Sequence, residues 1–153
     1  MATKQSSVPP DAARTLAIAS RVVEKSLGDM IPDPMTLPQL RILSLVARAP
    51  ERASRLASQS DVSRPTLTGV LDGLVARGWV KRTEVEGDRR GVELEATSTG
   101  RAALEAAQRA VATKFDDVLA LVEPAQRVAA IVGLEALSEA LHAHMKNRAL
   151  PAP

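Results

Sequence analysis

Residues Ala53 to Val92 read ASRLASQSDVSRPTLTGVLDGLVARGWVKRTEVEGDRRGV, and this stretch decides the fold. Arg52 to Ser60 reads as a short helix that buries Leu56, and Ser60-Asp61-Val62-Ser63 as a turn ending in a helix N-cap. Arg64 to Arg77 is the second helix, with Leu67, Val70, Leu71 and Leu74 at one-face spacing. Gly78 ends it. Trp79 to Val85 then alternates like a strand, Glu86 to Gly91 forms a charged hairpin tip, and Val92 to Ala96 returns. Helix, turn, helix and β-hairpin in that order make a winged helix-turn-helix, a device whose second helix fits a major groove.

The face of the second helix opposite its leucines carries Arg64, Pro65, Thr66, Thr68, Gly69, Asp72 and Gly73. It is small and polar, with no bulk to block approach to base edges. Two glycines there are either weak helix residues or a steric device; each costs roughly 1 kcal/mol against alanine. From Arg52 to Gly91 the chain holds eight basic residues against five acidic ones. That excess suits phosphate contacts, although an ordinary solvated surface would also explain it.

Outside this module the pattern is helical. Met1 to Pro10 is expected to be a disordered tail and Arg148 to Pro153 a frayed one, leaving a single domain over 11–147. Asp11 to Met30 carries Leu16, Ala19, Val23, Leu27 and Met30 on one stripe. Thr36-Leu37-Pro38-Gln39 matches a capping box ahead of a helix buried through Leu40, Leu43, Leu45 and Val46. Thr97 caps a long helix to about Val122, and Pro124 starts a last one to about Asn147 with Val128, Ile131, Leu134, Leu137 and Leu141 apolar. These long helices have too little globular partner of their own, so 11–31 and 97–147 are expected to form a shared dimer core around the winged module at 36–96. The fold class is mostly α with a small β-wing.

Composition narrows the function. Hydrophobic residues make up 45% of the 153, but Trp79 and Phe115 are the only aromatics, so the core is aliphatic. The formal charge is only +2, unlike a histone-type polycation. No segment approaches the roughly 18 apolar residues of a membrane span. The first residues lack the apolar run of a secretory signal, so the expected location is the cytoplasm. The absence of cysteine excludes disulfides and thiol-based sensing. His142 and His144 are two apart on a helix and point in different directions, against a metal pair. Glu93 and Glu95 share one strand face and read as solvated. No phosphate loop, paired catalytic carboxylates or Ser–His arrangement is present, so the reading is neither an enzyme nor a protein with a cofactor.

The run Leu37-Pro38-Gln39-Leu40-Arg41-Ile42-Leu43, the helix-turn-helix, the Asp88-Arg89-Arg90 wing tip and Thr97-Ser98-Thr99-Gly100-Arg101 together resemble the MarR family of bacterial transcription regulators. The resemblance spans Leu16 to Leu141. It implies a homodimer on double-stranded DNA with a pseudo-palindromic site, its half-sites about 10 bp apart. By resemblance, Ser63 caps the recognition helix and touches a phosphate, while Arg64, Pro65, Thr66 and Thr68 face base edges with Asp72 further along. Arg90 enters the minor groove beside Asp88, and Arg89 and Arg82 contact phosphates. The chain departs from the family at Ser60, where a buried leucine is usual, at Asp61 in place of glycine, and at Pro65. Asp72 either repels phosphate or accepts from a cytosine amino group.

The resemblance further implies a repressor relieved by a small phenolic or anionic effector. Its pocket lies among Leu16 to Met30, Leu37 to Val46 and Ala103 to Phe115, with Arg14, Arg21 and Arg41 as candidate anion partners or plain surface residues. The alternatives are a ligand-independent architectural DNA-binding protein and a scaffold without DNA binding. Operator, regulated genes and the sign of regulation are open.

Overall fold

A stretch built from aliphatic stripes, caps and one short hairpin folds as its parts dictate. The computed structural model describes Pro9 and residues 11–59, 63–84 and 92–148, the last four by backbone only. Its helices are α1 (Ala12–Asp29), α2 (Leu37–Arg48), α3 (Ala53–Gln59), α4 (Arg64–Ala76), α5 (Ser98–Leu119) and α6 (Pro124–Arg148). Its strands are β1 (Glu51–Arg52), β2 (Val80–Glu84) and β3 (Val92–Ala96). The expected turn at Ser60-Asp61-Val62, the expected strand end Val85 and the hairpin tip from Glu86 to Gly91 lie outside the described residues.

The helix starts are set by side chains. At α2, the Gln39 N–H donates to Thr36 Oγ1 at 3.3 Å and the Thr36 N–H to Gln39 Oε1 at 2.9 Å, the reciprocal box expected there. Thr97 Oγ1 accepts from the Gly100 N–H at 3.0 Å and opens α5. Helix α4 ends in a Schellman motif: Gly78 N–H reaches the Val75 carbonyl, and Trp79 N–H the Leu74 carbonyl, both at 2.9 Å. Gly78 holds φ at +68°, a conformation that strains any residue with a Cβ.

The sheet is antiparallel with order β1-β3-β2. Strand β1 was not anticipated, and Arg52 belongs to it rather than to the first helix turn. Ala49 is extended after α2 and Pro50 follows, which prevents helix from continuing. The two residues beyond then cover the open edge of β3, pairing Glu51 with Leu94 and Arg52 with Glu93.

Leu27, Leu43, Val46, Leu56 and Leu74 are completely buried and form one core with Trp79 and Leu94. Each such leucine contributes roughly 1.5–3 kcal/mol by leaving water. Ile42 is buried as well, while Leu40 and Leu45 are only partly so. Gly100 explains the Thr97…Gly100 spacing: a Cβ there would stand 2.0 Å from the Trp79 carbonyl oxygen. Thr97 Oγ1 donates to the Gly78 carbonyl at 2.7 Å, so the α4 end, the sheet and the α5 start are locked at one point.

The long helices are different. The C-terminal half of α1 packs on α5 and buries Leu27, yet Leu16 is 58% exposed at the other end. Along α6 no described residue is buried, and Val128, Ile131, Leu134, Leu137 and Leu141 all face solvent. The helix touches the rest of the described chain chiefly near α3, where Arg48 Nη2 lies 3.2 Å from His142 Nε2. His142 Nδ1 lies 2.8 Å from the Ser138 carbonyl. Donating there leaves Nε2 free to accept from Arg48, so this histidine is structural. Among the described residues no helix is long and apolar enough to cross a membrane.

Candidate nucleic-acid interface

Amphipathic spacing turns α4 so that Leu67, Leu71 and Leu74 are buried and Arg64, Pro65, Thr66, Thr68, Gly69 and Asp72 are exposed. Ser63 caps the helix as expected, accepting the Thr66 N–H at 3.3 Å, with Thr66 Oγ1 2.7 Å from its own oxygen. Pro65 sits in the first turn, where a missing N–H is harmless. Thr68 is exposed and donates its hydroxyl back to the Arg64 carbonyl at 3.0 Å. Five of the expected DNA-facing side chains therefore share one exposed strip. Arg64 makes no ion pair with any described residue.

Gly73 does not belong to that strip. It is half-buried, and a Cβ would meet Gln39 Nε2 at 3.3 Å, so its smallness serves the crossing of α2 and α4. Gly69 faces open space and stays with the exposed strip.

Strand parity controls the wing cations. Residues opposite one another in an antiparallel pair share a face. Val80 pairs with Ala96 and Arg82 with Leu94, so these four point to the α4 side; Lys81 with Glu95 and Thr83 with Glu93 point away. Val80 and Ala96 are buried. Two residues further out, on the same face, Arg82 Nη2 donates to Asp72 Oδ1 at 2.6 Å. Lys81 Nζ lies 2.9 Å from Glu95 Oε2 on the outer face. That lysine, by hydrogen bond and then by charge, holds the Glu95 carboxyl below its ordinary value, with a smaller pull from Arg101. The outer face is thus paired as well as solvated. The sequence missed both pairings because strand parity becomes readable only once the register is known. Asp88, Arg89 and Arg90 lie outside the described residues.

Behind the interface, Arg77 at the end of α4 donates to the Pro34 carbonyl and lies 3.5 Å from Asp33 Oδ1. Its guanidinium sits 4.7 Å over the Trp79 ring centroid. This residue fastens the reading helix to the α1–α2 connection, and only its place beside Gly78-Trp79 in sequence hinted at it.

A cleft of about 210 Å³ lies between α1 and α5, lined by Val22, Lys25, Ser26, Asp29, Met30 and Lys114. It falls within the expected effector region. Its cations are lysines; Arg14, Arg21 and Arg41 are exposed elsewhere and do not line it.

Comparison with known proteins agrees with this geometry. A profile of the MarR family matches residues 33–91. The chain is 32% identical over 108 residues to the uncharacterized HTH-type transcriptional regulator YfiV of Bacillus subtilis (strain 168), covering 70% of this chain and 68% of that protein. A shorter match, 42% identical over 52 residues, links 34% of this chain to 31% of the HTH-type transcriptional repressor YetL of the same organism. The solved structure of the Mycobacterium tuberculosis MarR family protein RV2887, in complex with p-aminosalicylic acid, superposes with a TM-score of 0.67 at 25% identity, covering 86% of this chain and 99% of that one.

Proposed function

The chain belongs to the MarR family of transcription regulators, and from that premise we propose that it is a homodimeric, sequence-specific DNA-binding repressor released by a small anionic ligand. One observation carries the DNA-reading part: an N-capped helix with an exposed strip of Arg64, Pro65, Thr66 and Thr68 beside a short wing. In this reading Ser63 touches a phosphate at the helix N-terminus, and those four residues meet base edges in the major groove. Arg82 and Arg89 take phosphates, and Arg90, oriented by Asp88, enters the flanking minor groove.

The second copy is supported by the apolar side chains of α6 that stay exposed among the described residues. Two reading helices carried on one symmetric frame then meet a pseudo-palindrome on successive major grooves. Repression is supported by the kinship with the repressor YetL over 52 residues of this chain. The ligand part is supported by the α1–α5 cleft with Lys25 and Lys114, and by the p-aminosalicylic acid complex of the relative RV2887. Val22 and Met30 give the cleft apolar walls and Lys25 and Lys114 two cations against the single acid Asp29, a lining that suits a flat carboxylate.

The test is to select duplexes from a random library with the purified protein, then measure anisotropy on the selected and on a scrambled duplex over a salt series. Selective binding that survives moderate salt is expected, together with release by added p-aminosalicylate. Equal, salt-labile binding to both duplexes contradicts a specific regulator. Selective binding that p-aminosalicylate leaves unmoved contradicts the effector part for that probe. Arg90→Ala is expected to weaken selected-duplex binding by about 1–3 kcal/mol without unfolding the protein.

A further inference from the structure

An acidic side chain on a DNA-reading helix needs a physical reason, because it faces a polyanion. Asp72 lies one turn beyond Thr68 and Gly69 on the exposed strip, and it has found a partner within its own chain. Its carboxylate accepts from Arg82 Nη2 at 2.6 Å, although both side chains are more than half exposed. A bond this short between solvated groups is a directed, charge-assisted one.

The origin of the pair is the register of the wing. Arg82 stands opposite Leu94 on the face of the sheet that Val80 and Ala96 bury, just where the sheet emerges from beneath α4. From that position the Arg82 side chain, half exposed, reaches the recognition helix at Asp72. Lys81, one residue earlier, makes the opposite choice and pairs with Glu95 inside the sheet. The Arg82–Asp72 bond is therefore a link between the two parts that would engage DNA: the reading helix and the wing strand. One guanidinium N–H is used on Asp72, and the fork has five in all.

We propose that Asp72 is a positioning residue for specificity, acting through Arg82 rather than by reading a base. It holds the guanidinium in one place at the joint between α4 and β2, so that the cation meets one phosphate in one register. The pair is neutral as a unit, so it adds little to sequence-independent attraction. A free Arg82 would swing over many phosphates and bind any duplex. Asp72 thereby trades general affinity for discrimination, since phosphate contacts fix how the reading helix sits over the bases. This rests on the DNA-binding reading above.

The experiment uses full-length protein and the variants Asp72→Asn, Asp72→Glu, Arg82→Gln and the Asn/Gln double variant. Affinity is read by anisotropy on the selected and the scrambled duplex, over salt, with chemical denaturation to confirm that each variant is folded. Asp72→Asn is expected to tighten binding to the scrambled duplex and to reduce the selected-to-scrambled ratio by at least about fivefold, within the range of coupled contacts. Asp72→Glu, which keeps the carboxylate, restores most of the ratio. Arg82→Gln lowers the salt slope by about 1. Once Arg82 is gone, adding Asp72→Asn changes the ratio by less than about twofold, a coupling that independent sites do not show. An equal loss of discrimination from Asp72→Asn with or without Arg82 overturns the proposal, because Asp72 would then be reading DNA itself. An unchanged ratio in Asp72→Asn overturns it as well. Absence of discrimination in the unmutated protein removes the DNA-binding reading and this inference together, whereas selective binding with additive variants removes this inference alone.

Discussion

The winged module and the long helices solve the same problem, hiding aliphatic side chains, in opposite ways. In the module, Leu43, Val46, Leu56, Leu74 and Leu94 are buried by elements of one chain, and the starts of α2 and α4 are capped by Thr36 and Ser63. On α6 the side chains of Ile131, Leu134 and Leu137 are between 41% and 57% exposed among the described residues. The helical frame at 11–31 and 97–147 is the more apolar of the two, so a shortage of apolar partners in its own sequence does not explain its exposure. What separates them is the number of directions from which the same chain returns: α4, the sheet and α5 close over α2, whereas α6 leaves α5 and among the described residues meets chiefly α3 and the Arg48 end of α2. The core of the module is closed within one chain with the help of α1 and α5; the apolar side chains of α6 are left exposed among the described residues.

That contrast can be broken by substitution. Leu43→Ala should lower stability by about 2–5 kcal/mol in chemical denaturation, equally at dilute and concentrated protein, because its surroundings are all in one chain. A loss that depends on concentration would move Leu43 into the shared frame. Leu134→Asp should do the reverse. It is expected to weaken self-association by roughly 30-fold or more, about 2 kcal/mol, while the chain keeps its helical content. Unchanged sedimentation would mean that this face of α6 is simply solvated.

Smaller effects sharpen the picture inside the module. Gly78→Ala forces a Cβ into the left-handed region at the end of α4 and should cost about 1–2 kcal/mol, read as a shifted denaturation midpoint. The smallest expected effect is on acid stability. Lys81 lowers the Glu95 pKa in the folded protein, so the pair's contribution is complete above the ordinary value of 4.5 and fades as pH falls through the lowered one. Denaturation of Glu95→Gln against the unmutated chain should therefore differ at neutral pH and converge in acid. A constant difference across that range would rule the pair out as its source.

Much of this was legible in the residues. The Thr36…Gln39 box, the Ser63 and Thr97 caps and the leucine spacing of α4 act within a few positions, and the structure places each where local chemistry put it. Local reading failed where a partner arrives from far along the chain. Strand β1 has only two residues and no pattern of its own; it exists because β3 offers an open edge. Gly73 looked like part of the exposed strip until α2 brought Gln39 against it. Asp72 looked like a repulsive charge because Arg82, ten residues away, meets it only after the hairpin register is set. The cations at the α1–α5 cleft, Lys25 and Lys114, escaped for the same reason.

The most direct measurement is sedimentation equilibrium of the protein mixed with one selected duplex, giving the mass of the complex. Two chains per duplex, with Leu134→Asp losing that stoichiometry, is the expected result: two reading modules held on one frame. A single chain bound selectively per duplex, with Leu134→Asp behaving identically, would contradict the division into a complete module and an incomplete frame.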